Sequence, residues 1–245
     1  AAMKGVILGI NPHARIVDLS HQIAPQQIHG AAYVLTSAYK YFPDGTIHVT
    51  VVDPGVGSAR RPLLVTTSRY FFLAPDNGVL TDVYRNELSV EVRQLENRQY
   101  RLDSEGSTFD GRDVFAPAAA WLTRGQAPGT FGRLIRDFIT LPAQEPGWQN
   151  QAFVGRIVYV DHFGNLISNL TASHLQEVRR AGNRSTVTIR VAGAVIEGVV
   201  GCYADGFTDA PGALINSNGE LEIFIKDGSA ADIMKVGREE RIELS

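Results

Sequence analysis

The apolar run Ile47 to Val52 passes directly into Asp53-Pro54-Gly55-Val56-Gly57-Ser58-Ala59-Arg60-Arg61-Pro62. A continuous apolar run predicts a strand buried on both faces, so the fold must supply packing layers on each side of it. The ends of such strands are where α/β domains bind ligands. Gly55 and Gly57 let the backbone approach a ligand closely. Asp53 and Arg60 are spaced to form a charged pair at the mouth of the loop. A plain βα turn closed by a surface salt bridge has the same residues, because structural and functional ion pairs look alike in sequence.

The flanking segments give the run its setting. Ile28 to Phe42 has apolar residues at spacings of three and four and Pro43 beyond its end, the pattern of a helix. Ile16-Val17-Asp18-Leu19 is a short strand candidate. Leu63 to Thr67 and Tyr70 to Leu73 read as strands joined by a short turn. Asp113 to Leu122 is an Ala-rich helix with Gly125 just past it. This alternation predicts a layered α/β domain over residues 1–140 with a mostly parallel sheet. Residues 141–151, rich in Pro, Gly and amides, read as a linker. Beyond it, Gly155 to Val160, Ser185 to Val191, Val195 to Val200, Leu221 to Ile225 and Arg241 to Leu244 are short strand patterns. They predict a smaller β-barrel-like domain over 152–245.

Composition narrows the function classes. A net charge of -3 gives no reason to expect nucleic acid or an anionic membrane as partner. No apolar run approaches the roughly 20 residues of a membrane-spanning helix, and no signal peptide is visible. The one cysteine, Cys202, excludes an internal disulfide and fits a reducing, cytoplasmic setting. The six histidines form no pair at helical spacing and there is no CxxC, so no metal site is expected.

Four further stretches follow the Asp53 loop in order: Ala74-Pro75-Asp76-Asn77-Gly78-Val79-Leu80, Ser107-Thr108-Phe109-Asp110-Gly111-Arg112-Asp113-Val114-Phe115-Ala116-Pro117, Val160-Asp161-His162-Phe163-Gly164-Asn165-Leu166-Ile167-Ser168-Asn169 and Leu214-Ile215-Asn216-Ser217-Asn218-Gly219. Together these resemble the S-adenosylmethionine hydroxide adenosyltransferases, relatives of the fluorinating and chlorinating enzymes that attack the same substrate. The resemblance runs from Met3 to the last strand. It implies hydrolysis of S-adenosylmethionine to adenosine and methionine, with the sulfonium compound as substrate and no metal or organic cofactor. It also implies a homotrimer with each site formed between subunits. A first strand, ending in an Asp-Phe-Gly-like turn, is expected ahead of the opening helix and is not in the sequence. Its loss would leave a sheet edge exposed.

By this resemblance a water-activating Asp-Arg-His set falls on Asp53, Arg60 and Asp110. The third position departs from the family pattern, and no histidine lies between His48 and His162 to restore it. An imidazole exchanges protons near neutral pH, whereas an aspartate is normally only an acceptor there. Two carboxylates facing one site would push one pKa up unless Arg60 offsets them. Asp161 is expected to hold the methionine end, Phe163 to stack on adenine and Asn165 to bond the adenine or ribose edge. A β-turn with a left-handed Gly164 and a core phenylalanine is the alternative. Tyr203 matches an adenine-stacking aromatic or a core tyrosine. Asn216 and Ser217 match the stretch that grips the methionine carboxylate, in what is also a hairpin signal at Asn218-Gly219. Asp76-Asn77-Gly78 fits a structural turn or a ligand contact, and Arg112-Asp113 an N-cap and its partner. His162, inside a matching motif, is placed nearer substrate than His21. Two rival functions remain open. One is a halogenase of the same superfamily, disfavoured by the short segment between Arg61 and Tyr70. The other is a protein that binds S-adenosylmethionine or adenosine without turnover.

Overall fold

In a computed structural model that describes residues 1–104, 106 and 108–245, the chain forms two compact units, Ala1–Leu141 and Pro142–Ser245. Ser107, the first residue of its motif, lies outside the described residues.

The first unit contains helices α1 (Ala2–Ile10), α2 (Ile28–Ala38), α3 (Thr81–Asn86) and α4 (Ala116–Thr123). Its strands are β1 (Ile47–Val49), β2 (Pro62–Thr66), β3 (Phe71–Pro75), β4 (Glu91–Gln94) and β5 (Leu134–Ile135). They form one sheet in the order β1-β3-β2-β4-β5. Strand β2 shows how the sequence builds the layers. Leu63 and Val65 lie in one apolar cluster with Ala31, Ala32 and Leu35 of α2. Leu64 lies in another with Ala118 and Ala119 of α4. Side chains alternate along a strand, so an uninterrupted apolar run feeds both faces.

The mostly parallel sheet expected from the alternation is not observed. Only β1 and β3 run parallel; the other three pairings are antiparallel. The connection between β2 and β3 is a tight turn closed by Thr67 N–H to the Tyr70 carbonyl at 3.0 Å. So short a link leaves no length for a crossover, which parallel neighbours require. Ile16-Leu19 is not a strand either. Val17 is 61% exposed, and Asp18 is drawn away to Lys4 and His21 at 2.5 and 3.2 Å.

Strand β1 carries a buried histidine. His48 lies among Tyr39, Phe42, Tyr70 and Phe72, stacked on Phe72 at 5.1 Å between ring centroids. Its Nε2 has no hydrogen-bond partner among the described residues. Burial alone lowers its pKa from 6.5 to about 4. The folded state therefore resists protonation. Stability is complete above pH 6.5 and is lost as pH falls towards 4, by roughly 2–3 kcal/mol. In His48→Phe, urea unfolding free energies should fall less steeply over that window than in the parent. Equal slopes would remove His48 from the account.

The second unit comprises β6 (Gly147–Gln149), β7 (Ala152–Val160), β8 (Leu166–Thr171), β9 (Thr188–Val191), β10 (Ala194–Glu197), β11 (Gly212–Ile215), β12 (Glu220–Phe224) and β13 (Arg241–Leu244), with helices α5 (Ala172–Gly182) and α6 (Ala230–Met234). All its strand pairs are antiparallel, in the order β10-β9-β13-β7-β8-β12-β11, with β6 beside β7. A bridge from Val200 to Leu214 ties the segment after β10 to β11. The sheet thereby nearly closes on itself, around a core that includes Ile157, Leu166, Leu221 and Ile242. The expected linker contains β6, because Trp148 packs edge-on to Phe153 at 5.4 Å and donates to Glu177 at 2.7 Å. Helix α5 begins with a capping box in which His174 takes the place usually filled by Glu or Gln.

Candidate active site

Three residues downstream of β1 the chain enters the Asp53 loop. Asp53 Oδ1 accepts from Gly55 N–H at 2.8 Å, which folds the loop back on its acid. Arg60 Nε lies 2.8 Å from the same oxygen, without the alignment of a hydrogen bond. The Asp53 side chain is 6% exposed and that of Arg60 24%. The contact is thus a partly buried ion pair rather than a solvated surface bridge. A Cβ at position 55 would collide with Arg60 Nη2, so the guanidinium keeps its present place only beside a glycine. Gly55→Ala should therefore dislodge Arg60 and cost about 1–3 kcal/mol of stability, with loss of activity. An unchanged unfolding midpoint and rate would show that the loop yields instead.

A second tier braces this pair. Asn77 Nδ2 donates to the Val52 carbonyl at 2.8 Å, just before the acid. Arg60 Nη1 reaches the Asp76 carbonyl at 3.4 Å. The buried Asp76 carboxylate takes Nε and Nη2 of Arg61 at 3.0 and 2.6 Å, and the Ile139 N–H at 2.8 Å. Arg61 also holds Asp137 at 2.9 Å. Asp76-Asn77-Gly78 is thus a structural turn that fixes both ends of the Asp53 loop. The sequence signal for it was the second arginine together with the Asp-Asn-Gly turn; nothing marked Asp137.

Asp110 begins the third element. The segment Gly111–Phe115 is a π-helical turn leading into α4, where a regular Ala-rich helix was expected. Pro117 explains the widening. In an α-helix its ring would meet the carbonyl of Asp113, four residues earlier, and it has no N–H to offer that carbonyl. The Asp113 carbonyl accepts instead from Leu102 N–H at 2.8 Å. Asp113 does not cap the helix; it is held in a bidentate pair with Arg112 at 2.6 and 2.8 Å. That bond, chiefly, keeps its carboxyl below the usual carboxylate range. Asp110 behaves oppositely. Burial, then the charge of Asp53, push its pKa up; Arg101 pulls it down and Asp113 adds a further upward push. Asp110 is therefore within electrostatic reach of Asp53, the acid that Arg60 pairs with.

The other predicted site residues lie in the second unit. Asp161 Oδ1 accepts from the Phe163 and Asn165 N–H groups, each at 2.9 Å, and Oδ2 from Asn165 Nδ2 at 3.2 Å. Gly164 has φ +82, and a Cβ there would collide with Ser229 Oγ. This turn leaves Phe163 75% exposed, hence no core residue, and buries Asn165. His162 is exposed, its ring 6.0 Å from that of Phe163. The Tyr203 ring is 47% exposed and packs edge-on to Phe224 at 5.1 Å. Its hydroxyl donates to the buried Glu222 at 2.6 Å. Burial, then Glu222, then Asp161 raise the phenol's pKa. Asn216 and Ser217 lie elsewhere. Their hairpin precedes Glu220, which pairs with Thr171, whereas the Asp161 turn precedes Leu166, which pairs with Ile223. The two loops thus flank opposite ends of the β8–β12 ladder. Within the hairpin, Asn216 Oδ1 accepts from the Asn218 and Glu220 N–H groups, each at 3.0 Å.

Residues 1–132 match the family model of the SAM hydroxide adenosyltransferase N-terminal domain, and residues 155–243 that of the C-terminal domain. An (R)-S-adenosyl-L-methionine hydrolase of Salinispora arenicola is 33% identical over 243 residues, covering 96% of this chain and 88% of that protein. A fluorinase of an Actinoplanes species is 26% identical over 258 residues, covering 91% and 85%. The crystal structure of an uncharacterized conserved protein from Thermotoga maritima superposes with a TM-score of 0.88 at 32% identity, covering 99% of this chain and 93% of that one.

Proposed function

This chain belongs to the SAM hydroxide adenosyltransferase family, and from that membership we propose that it hydrolyses S-adenosyl-L-methionine to adenosine and L-methionine. Water attacks the ribose 5′ carbon, a C–O bond forms, and the C–S bond breaks with its electron pair going to sulfur. Methionine leaves neutral at sulfur and needs no acid. The proton lost by water passes to a carboxylate and then to solvent. The chemistry needs no metal or organic cofactor, only a positioned, desolvated water and anionic groups that offset burial of the sulfonium.

The observation that carries this reading is the partly buried Asp53–Arg60 pair, in which the Arg60 guanidinium lies directly against Gly55. In our assignment Asp53 and Arg60 orient the water and Asp110 accepts its proton. Asp161 holds the methionine end, Phe163 and Tyr203 flank adenine, and Asn165 bonds the adenine or ribose edge. Asn216 and Ser217, which the resemblance assigns to the methionine carboxylate, lie at the other end of the β8–β12 ladder from Asp161 and are given no part in the same substrate contact. The exposure of the Phe163 and Tyr203 rings, ready for a planar ligand, supports the adenine assignment. Placing pure protein with S-adenosylmethionine, with and without chloride or fluoride, and identifying the products tests the proposal. Adenosine and methionine are expected irrespective of halide. A 5′-halo-5′-deoxyadenosine would make the protein a halogenase, and binding without product a carrier.

The functional division we propose is an α/β domain over 1–140, a linker over 141–151 and a β domain over 152–245. The assembly is a homotrimer in which the first domain of one subunit meets the second of its neighbour. Each interface should then exceed about 1,000 Å², and light scattering at micromolar concentration should give three times the chain mass. A monomer would overturn it. Among the described residues no helix is long and apolar enough to cross a membrane. The single free cysteine, Cys202, supports a cytoplasmic assignment.

A further inference from the structure

Strand β12 buries a carboxylate that the proposed reaction leaves unused. Leu221 and Ile223 of that strand enter the core, so Glu222 and Phe224 alternate onto its opposite face. There Glu222 is 3% exposed, and its neighbours across the sheet are apolar, Leu214 of β11 and Ile167 of β8. A carboxylate in such a place is costly unless something bonds it. The Tyr203 hydroxyl does so, donating to Glu222 Oε1 at 2.6 Å, the length of a charge-assisted bond from a hydroxyl to a carboxylate. The ring is held at its body too, edge-on to Phe224 at 5.1 Å. The loop that carries Tyr203 lies against Phe224, close enough that a Cβ at Gly206 would sit 2.5 Å from Phe224 Cε2. Lys226 fastens the loop again, donating from its N–H to the Phe207 carbonyl at 3.1 Å and from Nζ to the Ala204 carbonyl at 3.0 Å.

The segment that follows β12 also holds the Asp161 turn. Ala231 N–H donates to the Gly164 carbonyl at 2.9 Å, and Gly164 lies against Ser229. Tyr203 and Phe163 therefore stand on loops fastened to one stretch of chain, residues 226–231. We propose that Glu222 is the positioning residue for Tyr203, the anchor that turns its hydroxyl inward and presents its ring face to the adenine of the substrate. The inference rests on the adenine assignment above for its effect on binding; the anchoring itself does not. With the hydroxyl committed to Glu222, Tyr203 offers a ligand a ring face rather than a hydrogen bond. A ring already held in place need not be ordered when the ligand arrives, and that preorganisation favours binding.

The test compares the parent with Tyr203→Phe, Glu222→Gln, Glu222→Leu and the double variant Tyr203→Phe/Glu222→Leu. Calorimetric titration with adenosine gives Kd, and steady-state kinetics with S-adenosylmethionine give KM and kcat. In Tyr203→Phe and in Glu222→Leu, Kd and KM should rise by about 3- to 10-fold, the scale of leaving one side chain for the ligand to order, with kcat within about twofold. Glu222→Gln should keep most of the affinity, because an amide oxygen also accepts from a phenol. In the double variant, Glu222→Leu should add nothing to Tyr203→Phe. A parent-like Kd in Tyr203→Phe, or a Glu222→Leu effect that persists undiminished in the Tyr203→Phe background, overturns the proposal. Should Glu222→Leu not fold, Tyr203→Phe decides: a raised Kd supports the anchor and a parent-like one overturns it. The Tyr203 hydroxyl proton should be protected from solvent exchange in the proton NMR spectrum of the parent. A parent that binds neither S-adenosylmethionine nor adenosine would refute the adenine assignment. That signal, present or absent, would still decide whether Glu222 anchors Tyr203.

Discussion

Asp53→Asn should lower kcat for adenosine release by about 10²-fold, the scale on which loss of positioning at a reacting centre slows a reaction. The substitution is nearly isosteric. An amide oxygen can still accept the Gly55 N–H that Asp53 now takes at 2.8 Å, so the loop keeps its turn. What is lost is the charge opposite Arg60 Nε. Arg60 then retains only its long contact, 3.4 Å, to the Asp76 carbonyl, and no longer holds one orientation towards the attacking water. KM should move by less than tenfold, because the groups assigned to adenine and methionine lie in the other unit. Stability should fall by about 1–2 kcal/mol, since the pair is neither fully buried nor fully solvated. Steady-state kinetics and urea unfolding on the same preparations separate the two effects. A variant within threefold of the parent kcat would take Asp53 out of the chemistry.

The second large effect concerns Asp110. Its pKa is raised by burial and by Asp53, so its charge is lost at a higher pH than for a free aspartate. If it must be ionised to accept the proton, activity is present above that pKa and fades as pH falls through it. Asp110→Ala should remove this limb and cost about 10²-fold or more. Asp110→His restores a group that shares protons near neutral pH. It should raise kcat between pH 6 and 9 and move the limb towards the histidine range. The measurement is kcat against pH for all three proteins. Should the parent match Asp110→Ala, with no gain in Asp110→His, the position carries no chemistry and the mechanism rests on Asp53 and Arg60.

Some of this site was legible in the sequence for local reasons. Asp53 and Arg60 are joined by a loop short enough for spacing to predict their pairing, and the Gly164 turn was written in one pentapeptide. The α2 helix was legible because its periodicity is set by burial, whereas the strand after it, expected from Ile47 to Val52 and buried on both faces, ends at Val49 and leaves Val51 37% exposed. The parallel sheet was misjudged because strand direction depends on connection length and not on apolar content; the Thr67–Tyr70 turn was the better guide. Strand β8 and helix α5 went unread because Leu166–Thr171 doubles as motif, and His174 caps the helix in place of the usual Glu or Gln. The brace from Asp137 and the bond from Leu102 to the Asp113 carbonyl depend on contacts between residues 76 and 11 positions apart. Neither carries a local pattern.

Pro117 gives that last point a broader meaning. It bears no charge and touches no proposed ligand group, yet the Asp113 carbonyl reaches Leu102 because position 117 lacks a single hydrogen. Any other residue there would bring back a donor to compete for that carbonyl, and the helix would tighten by one residue per turn. With about 100° of rotation per residue, Asp110 would then point in a different direction. The setting of Asp110 is thus inherited from an imino acid in a helix, and mutational tolerance at 117 should follow that of 110 more closely than that of its own neighbours in the Ala-rich stretch.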